Sequence, residues 1–576
     1  MKKSNLLLFT AISLTCLTSC GPKRPKHQHI FEYRKVVEAI VPGIMCGDKI
    51  SYYKSCECGE LSSESFKTNE IMKHDYEKDY VVNGNECIVT YTCKRCDKNH
   101  EGHSFSGKSI TKSYSIDTPP SCQNNELGHE EFTDFRDNEN QPLNIDPYFV
   151  GGTNSIEQKN TKLDHFYCQN VFKSALVPGT TNQFYENCIY CGKNDTSKTF
   201  TFNMKPEYTF AKEEIVERKN VYDYACELDP AMASIFAGYK TLNLRKYNFT
   251  YQSTKLDGTP ITLSAGLIVP FDGDTPNVTA LAVNNHPTIF GADRAPSLCW
   301  TPTTPIALCS TARTAVLECD LIGLGSTVDE ISDFHCWHLT SKSTIDGIFA
   351  AYDILKEYFD VDCTDLKKVN AGYSQGGFDT MSILYYLEKY APECITSKIK
   401  FNKVFAGSGA YDLQIMMKKQ LRNDFSEPDV LIQAIISAIE SHPDMFMGYT
   451  IEDFLEEYGL KYLDPLQRKD EYEIFRLNYS RNNKPIFKEA LFDSYNELNR
   501  ALISASKFES LLNTDWVPSA NTYMYYSVKD EIIPKECSLK AKEKFANAQN
   551  IVFIEADNVY HEEGGTEFYT KVYLNF

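Results

Sequence analysis

The stretch from Val369 to Tyr390 reads VNAGYSQGGFDTMSILYYLEKY and places a serine between two different apolar patterns. Gly372 stands two residues before Ser374, and Gly376 stands two residues after it. The short apolar run before the serine predicts a strand, and the apolar spacing after it predicts a helix. A serine at such a sharp turn needs small neighbours, because larger side chains would collide with the adjoining strand and helix. The stretch therefore predicts a serine hydroxyl that projects from the carboxyl end of a strand.

A serine in this position has the surroundings of a catalytic nucleophile. The start of the predicted helix and the backbone amide of Gln375 favour negative charge developing on a substrate oxygen. The pattern G-x-S-x-G also occurs by chance in glycine-lined loops. Here it has the strand before it and the helix after it that the chemistry requires.

Alternating strands and helices are predicted on both sides of this turn, from about Lys219 onward. Residues 245–254 and 261–270 read as paired strands, and a helix is predicted from about 342 to 359. Apolar strand runs that alternate with amphipathic helices indicate an α/β fold with a mostly parallel, doubly wound sheet.

A serine nucleophile needs a base, and the base needs an acid that orients it. Asp530 follows the predicted strand TYMYYSV, and His561 lies 31 residues further on a predicted loop after the strand IVFIEA. Asp557 is the nearest rival for the acid, and His442 is the one other histidine after the serine. The order of the chain favours Asp530 and His561, since three successive strand ends would then carry the three groups.

The loop that starts at Asn285 reads NHPTIFGADRAPS and resembles the His-Gly-Thr…Ala-Pro-Ser loop of bacterial α/β-hydrolases related to the fungal secretory lipases. GYSQGG and the loop DLIGLG at 320–325 resemble the same group. The resemblance runs from about residue 220 to the end, apart from an insertion. It implies an α/β-hydrolase fold, an ester- or lipid-cleaving serine hydrolase, and a second oxyanion donor at the amide of Thr288. Pro287 stands where the family has glycine.

An insertion of amphipathic segments, at about 410–515, separates two of the predicted strands. At this point of an α/β-hydrolase it would lie over the active site, so we predict a helical cap with an apolar pocket for an acyl or aromatic group. The alternative is a domain unrelated to the substrate.

The chain before residue 205 is rich in cysteine and contains an internal repeat. His29 stands ten residues before Ala39, and His165 stands ten residues before Ala175; a Val-Pro-Gly and a close cysteine pair follow in both copies. A middle copy is predicted to begin at His74. We therefore expect three small Cys/His-rich modules, similar to those found in tandem on bacterial surface proteins.

Close cysteine pairs with a further cysteine and a histidine are the ingredients of a tetrahedral zinc site. Two four-residue sets are predicted, and in the third copy, where Asn182 replaces the first cysteine, Cys168 would have to contribute. Disulfides in an oxidising exterior are the alternative. The predicted sets are His29, Cys46, Cys56 and Cys58 in the first copy, and His74, Cys87, Cys93 and Cys96 in the second.

The first 20 residues have the layout of a secretory signal: two lysines, then a short apolar run that ends in Leu-Thr-Ser-Cys. This ending resembles the lipobox of bacterial lipoproteins, which implies a lipid on Cys20 and a membrane-anchored protein outside the cytoplasm. An ordinary signal peptide is the alternative. The net charge of -19 argues against nucleic acid as a partner, because binding it needs clustered basic residues.

These patterns together predict three regions: a signal peptide at 1–20, Cys/His repeats at 21–205 and a hydrolase domain at 206–576. The predicted function is a surface-anchored hydrolase of carboxylic esters that needs no cofactor for catalysis, with structural zinc possible in the repeats. A secreted serine peptidase of the same fold and a non-catalytic surface binding protein are the alternatives.

Overall fold

The computed structural model describes most of the chain from His29 to Asn575, and the predicted signal peptide with Cys20 lies outside the described residues. The described ranges are 29–83, 86–96, 98–115, 129–143, 156–158, 165–228, 230–234, 236–299, 313–420, 427–446, 448–482, 484–492 and 496–575. The chain forms two compact units, one of residues 1–111 and 132–155 and the other of residues 112–131 and 156–576.

Antiparallel hairpins make up the first unit. Strand β1 pairs with β2, and β4 pairs with β3 on one side and β5 on the other. Tyr91 on β4 is fully buried and stacks on Phe105 of β5 with ring centroids 4.8 Å apart. The first strands of the chain are β1 (Lys49–Ser55), β2 (Leu61–Ile71), β3 (Tyr76–Asn83), β4 (Glu86–Cys93), β5 (Ser104–Ser115), β6 (His129–Arg136) and β7 (Ile156–Gln158).

The third Cys/His copy belongs to the second compact unit, so the predicted boundary at 205 does not separate compact units. Its strands β8 (Tyr167–Cys168), β9 (Gln183–Cys188) and β10 (Asn194–Thr201) form a small antiparallel sheet. The Tyr386 hydroxyl donates to the carbonyl of Val171 at 2.7 Å. This copy therefore shares buried contacts with the rest of the second unit.

A ten-stranded sheet is the centre of the second unit. Its strand order is β11-β12-β13-β16-β15-β17-β18-β19-β20, with β14 beside β13. Pairing is antiparallel from β11 to β16 and parallel from β16 to β20. The strands are β11 (Tyr208–Asn220), β12 (Leu242–Thr254), β13 (Pro260–Asp272), β14 (Thr275–Pro276), β15 (Ala280–Asn285), β16 (Thr314–Cys319), β17 (Lys367–Tyr373), β18 (Lys403–Gly407), β19 (Asn521–Ser527) and β20 (Ile551–Ala556).

Helices cover both faces of this sheet, as the doubly wound pattern predicts. The α-helices are α1 (Val221–Leu228), α2 (Trp337–Phe359), α3 (Gln375–Lys389), α4 (Glu393–Thr396), α5 (Leu413–Gln420), α6 (Pro428–Ser441), α7 (Pro443–Phe446), α8 (Leu463–Arg468), α9 (Glu471–Tyr479), α10 (Glu497–Glu509), α11 (Lys535–Lys544) and α12 (His561–Asn575). In the part of the chain that the structure describes, none of them is long and apolar enough to span a membrane.

Alternation along the strands assigns each side chain to one of two cores. Val369, Ala371 and Tyr373 of β17 pack with Phe568 of α12 on one face. On the other face, α2 and α3 pack against alternate residues of β15 and β16. Because both faces are covered, the central parallel strands are buried along their length.

The chain reverses direction across the sheet at β15. It passes from β15 to β16 on one side, and then returns to β17 on the other side. Loops that leave the carboxyl ends of β15 and β17 therefore diverge and open a crevice, which is where open α/β sheets bind their ligands. The loop after β17 is the predicted serine turn.

Between β18 and β19 the predicted insertion is present as helices α5 to α10. Its apolar side chains are buried in the same core as α2 and α3. The insertion therefore packs as part of the second unit.

Candidate active site

The turn at Ser374 has the strained geometry that its sequence predicts. Ser374 has φ 62° and ψ -121°, and its N–H donates to the carbonyl of Gly407 at 2.9 Å. A Cβ on Gly372 would lie 2.2 Å from the Gly376 carbonyl oxygen, and a Cβ on Gly376 would lie 2.0 Å from that of Asn285. Such distances are shorter than any non-bonded contact, so both positions require glycine.

Three side chains that are far apart in sequence meet at this turn. The Nε2 atom of His561 lies 2.8 Å from the Ser374 hydroxyl oxygen. The Nδ1 atom of the same ring lies 2.9 and 2.8 Å from the two carboxylate oxygens of Asp530. All three residues are less than a tenth exposed. The structure thus brings together the three residues that the sequence predicts as nucleophile, base and acid.

Asp530 is held in place by the turn that follows β19. Its Oδ1 atom accepts the N–H groups of Ile532 at 3.1 Å and Ile533 at 2.8 Å. These bonds fix the carboxylate beside the imidazole. Asp557, the rival for the acid in the sequence, is exposed.

His561 is the first residue of α12, whereas the sequence analysis places it on a loop. Its N–H donates to the carboxylate of Glu531 at 3.0 Å, and its carbonyl accepts the Tyr373 hydroxyl at 2.7 Å. Neither partner is predicted from the sequence, because Glu531 and Tyr373 are far from His561 along the chain and meet it only in the fold.

The predicted oxyanion loop leaves β15 beside the serine turn. A Cβ added to Gly376 would lie 2.0 Å from the Asn285 carbonyl oxygen, which shows how closely the serine turn approaches this loop. Gln375 is the first residue of α3, where helix amides point toward the turn. Thr288 lies three residues after the end of β15 and is half-buried. The assignment of both amides as oxyanion donors stays a prediction.

Asp320 anchors the far end of this loop, a role that the sequence does not predict. Its carboxylate accepts the Ser297 N–H at 2.8 Å, the Ser297 hydroxyl at 2.5 Å and the Ser264 hydroxyl at 2.5 Å. Burial raises the pKa of Asp320, and the serine hydrogen bonds oppose that rise. The DLIGLG segment begins with this aspartate, which links β16, β13 and the loop.

One carboxyl group of the insertion is buried at the start of α6. Burial raises the pKa of Glu427, just before this helix, and the neighbouring Asp429 raises it further.

The predicted metal ligands of the first two copies are regrouped in the structure. Cys46 joins the second set, with His74, Cys93 and Cys96, instead of the first. The first cluster consists of His29, Cys56 and Cys58, and the third copy contributes His165, Cys188 and Cys191. None of the described cysteines forms a disulfide.

The error in the predicted sets has a simple geometric cause. Cys46 precedes β1 whereas Cys56 follows it, and the seven residues of that strand separate its ends by about 20 Å. Cys87 likewise lies near the start of β4, whose other end carries Cys93. Burial raises the pKa of the Cys87 thiol to about 11. Cys168 is also outside its predicted cluster, and its Sγ lies 3.2 Å from the Asn187 carbonyl oxygen.

Comparison with known proteins gives matches among solved structures. No family model and no curated protein sequence matches the chain. A protein of Legionella pneumophila assigned as a hydrolase aligns over 64% of this chain and 96% of its own, with 16% identity and a TM-score of 0.54. The ligand-bound form of the rice cell wall degrading esterase LipA from Xanthomonas oryzae aligns over 64% of this chain and 95% of its own, with 16% identity and a TM-score of 0.52.

Both alignments extend over nearly the whole length of the compared structures, so they describe a complete shared domain. Identity at this level shows the fold, and the closer resemblance to relatives of the fungal secretory lipases stays a prediction. The chain has the α/β-hydrolase fold. This follows from its sheet order, from the helices on both faces of the sheet and from its similarity to these two structures.

Proposed function

We propose that this protein is a serine hydrolase that cleaves carboxylic esters. The observation that carries the proposal is the continuous chain of hydrogen bonds from Ser374 through His561 to Asp530. A serine hydroxyl is a weak nucleophile by itself, and an imidazole at 2.8 Å can remove its proton as it attacks.

In the proposed reaction, the Ser374 oxygen attacks the ester carbonyl while His561 Nε2 takes the hydroxyl proton. Asp530 keeps the imidazole in the tautomer whose Nδ1 carries a hydrogen and stabilises the imidazolium that forms. The proton then passes to the departing alcohol oxygen, which leaves an acyl group on Ser374. A water molecule repeats the sequence and releases the carboxylic acid.

Negative charge on the carbonyl oxygen needs donors that are already in place. We assign this role to the amides of Gln375 and Thr288. The strained turn and the close approach of the Asn285 carbonyl to Gly376 support the assignment, because they hold the two chain segments side by side. No cofactor is needed for this chemistry.

The insertion is proposed to act as a cap that supplies the substrate pocket. Its first long helix, α6, carries a buried apolar run that packs in the same core as α2 and α3. Apolar walls would favour an ester with an apolar acyl or aromatic group over a strongly charged one. The esterase LipA is named for degrading the rice cell wall, and from that resemblance we carry over only the ester class.

The predicted location is also a proposal. A lipid on Cys20 would anchor the protein outside the cytoplasmic membrane, and the first two repeats would lie between the anchor and the hydrolase domain along the chain. This rests on the sequence of the first 20 residues alone.

Hydrolysis of a p-nitrophenyl ester series by the purified full chain, from acetyl to long acyl groups, tests the proposed reaction. Ser374→Ala should lower kcat/KM by about 10³-fold or more. Ser382→Ala is the matched control, since Ser382 lies on the same helix and donates to the Phe378 carbonyl at 2.8 Å. The acyl length with the highest kcat/KM would measure the pocket.

The same experiment separates the alternatives when peptide p-nitroanilides are included. Faster cleavage of peptide amides than of all esters would replace the esterase by a peptidase. If Ser374→Ala still cleaves both substrates at the original rate, Ser374 is not the nucleophile. If the unmodified protein cleaves neither substrate, a binding protein is favoured.

A further inference from the structure

The described chain contains a four-residue cluster of metal-binding side chains far from the catalytic residues in sequence. Cys46, His74, Cys93 and Cys96 place one ligand atom each so that all four atoms lie within 4.8 Å of one another. We propose that they bind one zinc ion that is shared between the first two repeats. Cys46 comes from the first repeat, and the other three ligands come from the second.

The distances within this cluster match a tetrahedral zinc site. Cys46 Sγ lies 3.6 Å from Cys93 Sγ, and Cys96 Sγ lies 3.6 Å from His74 Nδ1. Zinc bonds of about 2.3 Å to sulfur and 2.0–2.1 Å to nitrogen would separate two sulfurs by about 3.8 Å and a sulfur and a nitrogen by about 3.6 Å. A disulfide would need the two sulfurs about 2.05 Å apart.

The three sulfur atoms are sheltered from solvent. Cys46, Cys93 and Cys96 are 1%, 3% and 7% exposed. The N–H groups of Asp75 and Arg95 both point at Cys93 Sγ, each at 3.4 Å. Amide donors of this kind stabilise a thiolate, which is the form that binds zinc. Three thiolates and one imidazole form a closed set that is typical of structural zinc.

The register of the first hairpin explains why Cys46 reaches the second repeat. Lys49 at the start of β1 pairs with Ile71 at the end of β2. Cys46 lies three residues before Lys49, and His74 lies three residues after Ile71. Antiparallel pairing therefore brings the two side chains to the same end of the hairpin.

Two further hydrogen bonds hold the segments together beyond the strands. The Gly47 N–H donates to the Met72 carbonyl at 2.8 Å, and the Met72 N–H donates to the Asp48 carbonyl at 2.8 Å. Gly47 has φ +86°, a backbone conformation that favours glycine. The turn thus positions Cys46 without depending on the metal.

Pairing in the second hairpin brings the remaining ligands together. Tyr76 at the start of β3 is opposite Cys93 at the end of β4. His74 precedes the first of these strands, and Cys96 follows the second. His103 Nδ1 also lies 3.6 Å from Cys96 Sγ, but it is not one of the four mutually close ligand atoms.

A shared ion would link the first two repeats, because its ligands come from both of them. Structural zinc contributes its binding free energy to folding. The clusters of the first and third copies each offer three ligands, so the four-ligand site is the complete one among the described clusters. The inference is independent of the proposed esterase activity.

Thiol labelling of the unmodified full chain tests the shared site directly. The protein is purified with zinc, treated with N-ethylmaleimide with and without a chelator, and mapped by peptide mass. Cys46, Cys93 and Cys96 should be protected together and become reactive together when zinc is removed. Labelling of Cys46 that is the same with and without chelator would overturn the proposal, as would a Cys46–Cys93 disulfide in the zinc-loaded protein.

Variants distinguish this ligand set from the one that sequence spacing predicts. Cys46→Ser should lower the zinc content by about one ion per chain, because one four-ligand set holds one ion. Cys87→Ser removes a buried thiol of the same repeat and should leave the zinc content unchanged. Retention of zinc by Cys46→His would show that the serine variant lost a ligand and not its fold. Loss of zinc in Cys87→Ser with retention in Cys46→Ser would refute the proposed set.

Discussion

The carboxylate of Asp530 accepts hydrogen bonds from two backbone amides of its own turn and lies 2.8 Å from the imidazole of His561. Because the turn fixes the carboxylate, the carboxylate fixes the orientation of the imidazole. Asp530→Asn should keep the fold but favour the wrong tautomer of His561. We expect kcat/KM for an ester to fall by about 10³- to 10⁴-fold.

The exposed rival provides the control for this prediction. Asp557→Asn changes an equal charge four residues before His561 and should leave kcat/KM within about twofold, since surface changes of this kind have small effects. Equal losses in the two variants would mean that local charge, and not the carboxylate at 2.8 Å, supports catalysis.

Gly376 is the residue at which the turn is least tolerant of change. An added methyl group would lie 2.0 Å from the Asn285 carbonyl oxygen, which is backbone and cannot rotate away. Gly376→Ala should therefore lower the free energy of unfolding by about 3 kcal/mol or abolish folding. Gly238→Ala, where an added Cβ meets nothing within 4 Å, is the control in the same denaturant titration. A stable and fully active Gly376→Ala protein would contradict the described turn.

The sequence predicts these residues well because their signals are local. A strand, a turn glycine and a helix around Ser374 lie within one short segment, and Asp530 and His561 follow strand ends in chain order. The predicted ligand set of Cys46 is wrong because its neighbours in space depend on the hairpin register. Spacing along the chain does not show that β1 separates Cys46 from Cys56.

Among the elements, Glu509 joins the insertion to the sheet-covering helices. Its carboxylate accepts the N–H of Trp337, the first residue of α2, at 2.9 Å and lies 2.8 Å from His442 Nε2 after α6. The residue itself ends α10 and is 5% exposed. One carboxylate therefore satisfies groups from two helices other than its own.

Glu509→Ala should leave these buried donors without a partner and lower the free energy of unfolding by about 3 kcal/mol. Glu509→Gln, which keeps an accepting oxygen, should cost less. Exposed Glu440 on α6 supplies the control as Glu440→Ala. Urea unfolding of the three variants measures the differences, and a Glu509→Ala protein as stable as the control would show that the contact does not hold the insertion.

The boundaries of elements were predicted less well than their existence. The helix expected from residue 342 begins at Trp337, and the loop expected at His561 is the first turn of α12. The segment FHCWHL, residues 334–339, spans the start of α2 and gives no helix signal of its own. His338 stacks on Phe508 of the insertion and Trp337 packs on Tyr385 of α3, so the extra turn is stabilised by tertiary packing.

At the scale of the whole molecule, stability should depend on pH through a buried carboxyl group. Burial raises the pKa of Asp333 from 3.8 to about 7, and its hydrogen bond with Thr340 opposes the rise. Between these two values the folded protein holds a proton that the unfolded chain releases. The contribution of Asp333 to stability is therefore complete below pH 3.8 and is lost as the pH rises toward 7.

Asp333→Asn should remove this dependence, since the amide does not ionise. Its free energy of unfolding relative to the unmodified protein should rise by a few kcal/mol between pH 5 and pH 8. Asp360→Asn, at an exposed helix end, is the control. Chemical unfolding at the two pH values measures the difference, and parallel behaviour of the unmodified and Asp333→Asn proteins would show that Asp333 is ionised in the fold.

Covalent labelling with a fluorophosphonate tests whether Ser374 is a nucleophile that His561 activates. The reagent needs no knowledge of the natural substrate, and peptide mass identifies the labelled residue. We predict labelling at Ser374 in the full chain and a rate at least about 10²-fold lower in His561→Ala. Labelling at another serine, or an equal rate in His561→Ala, would contradict the account.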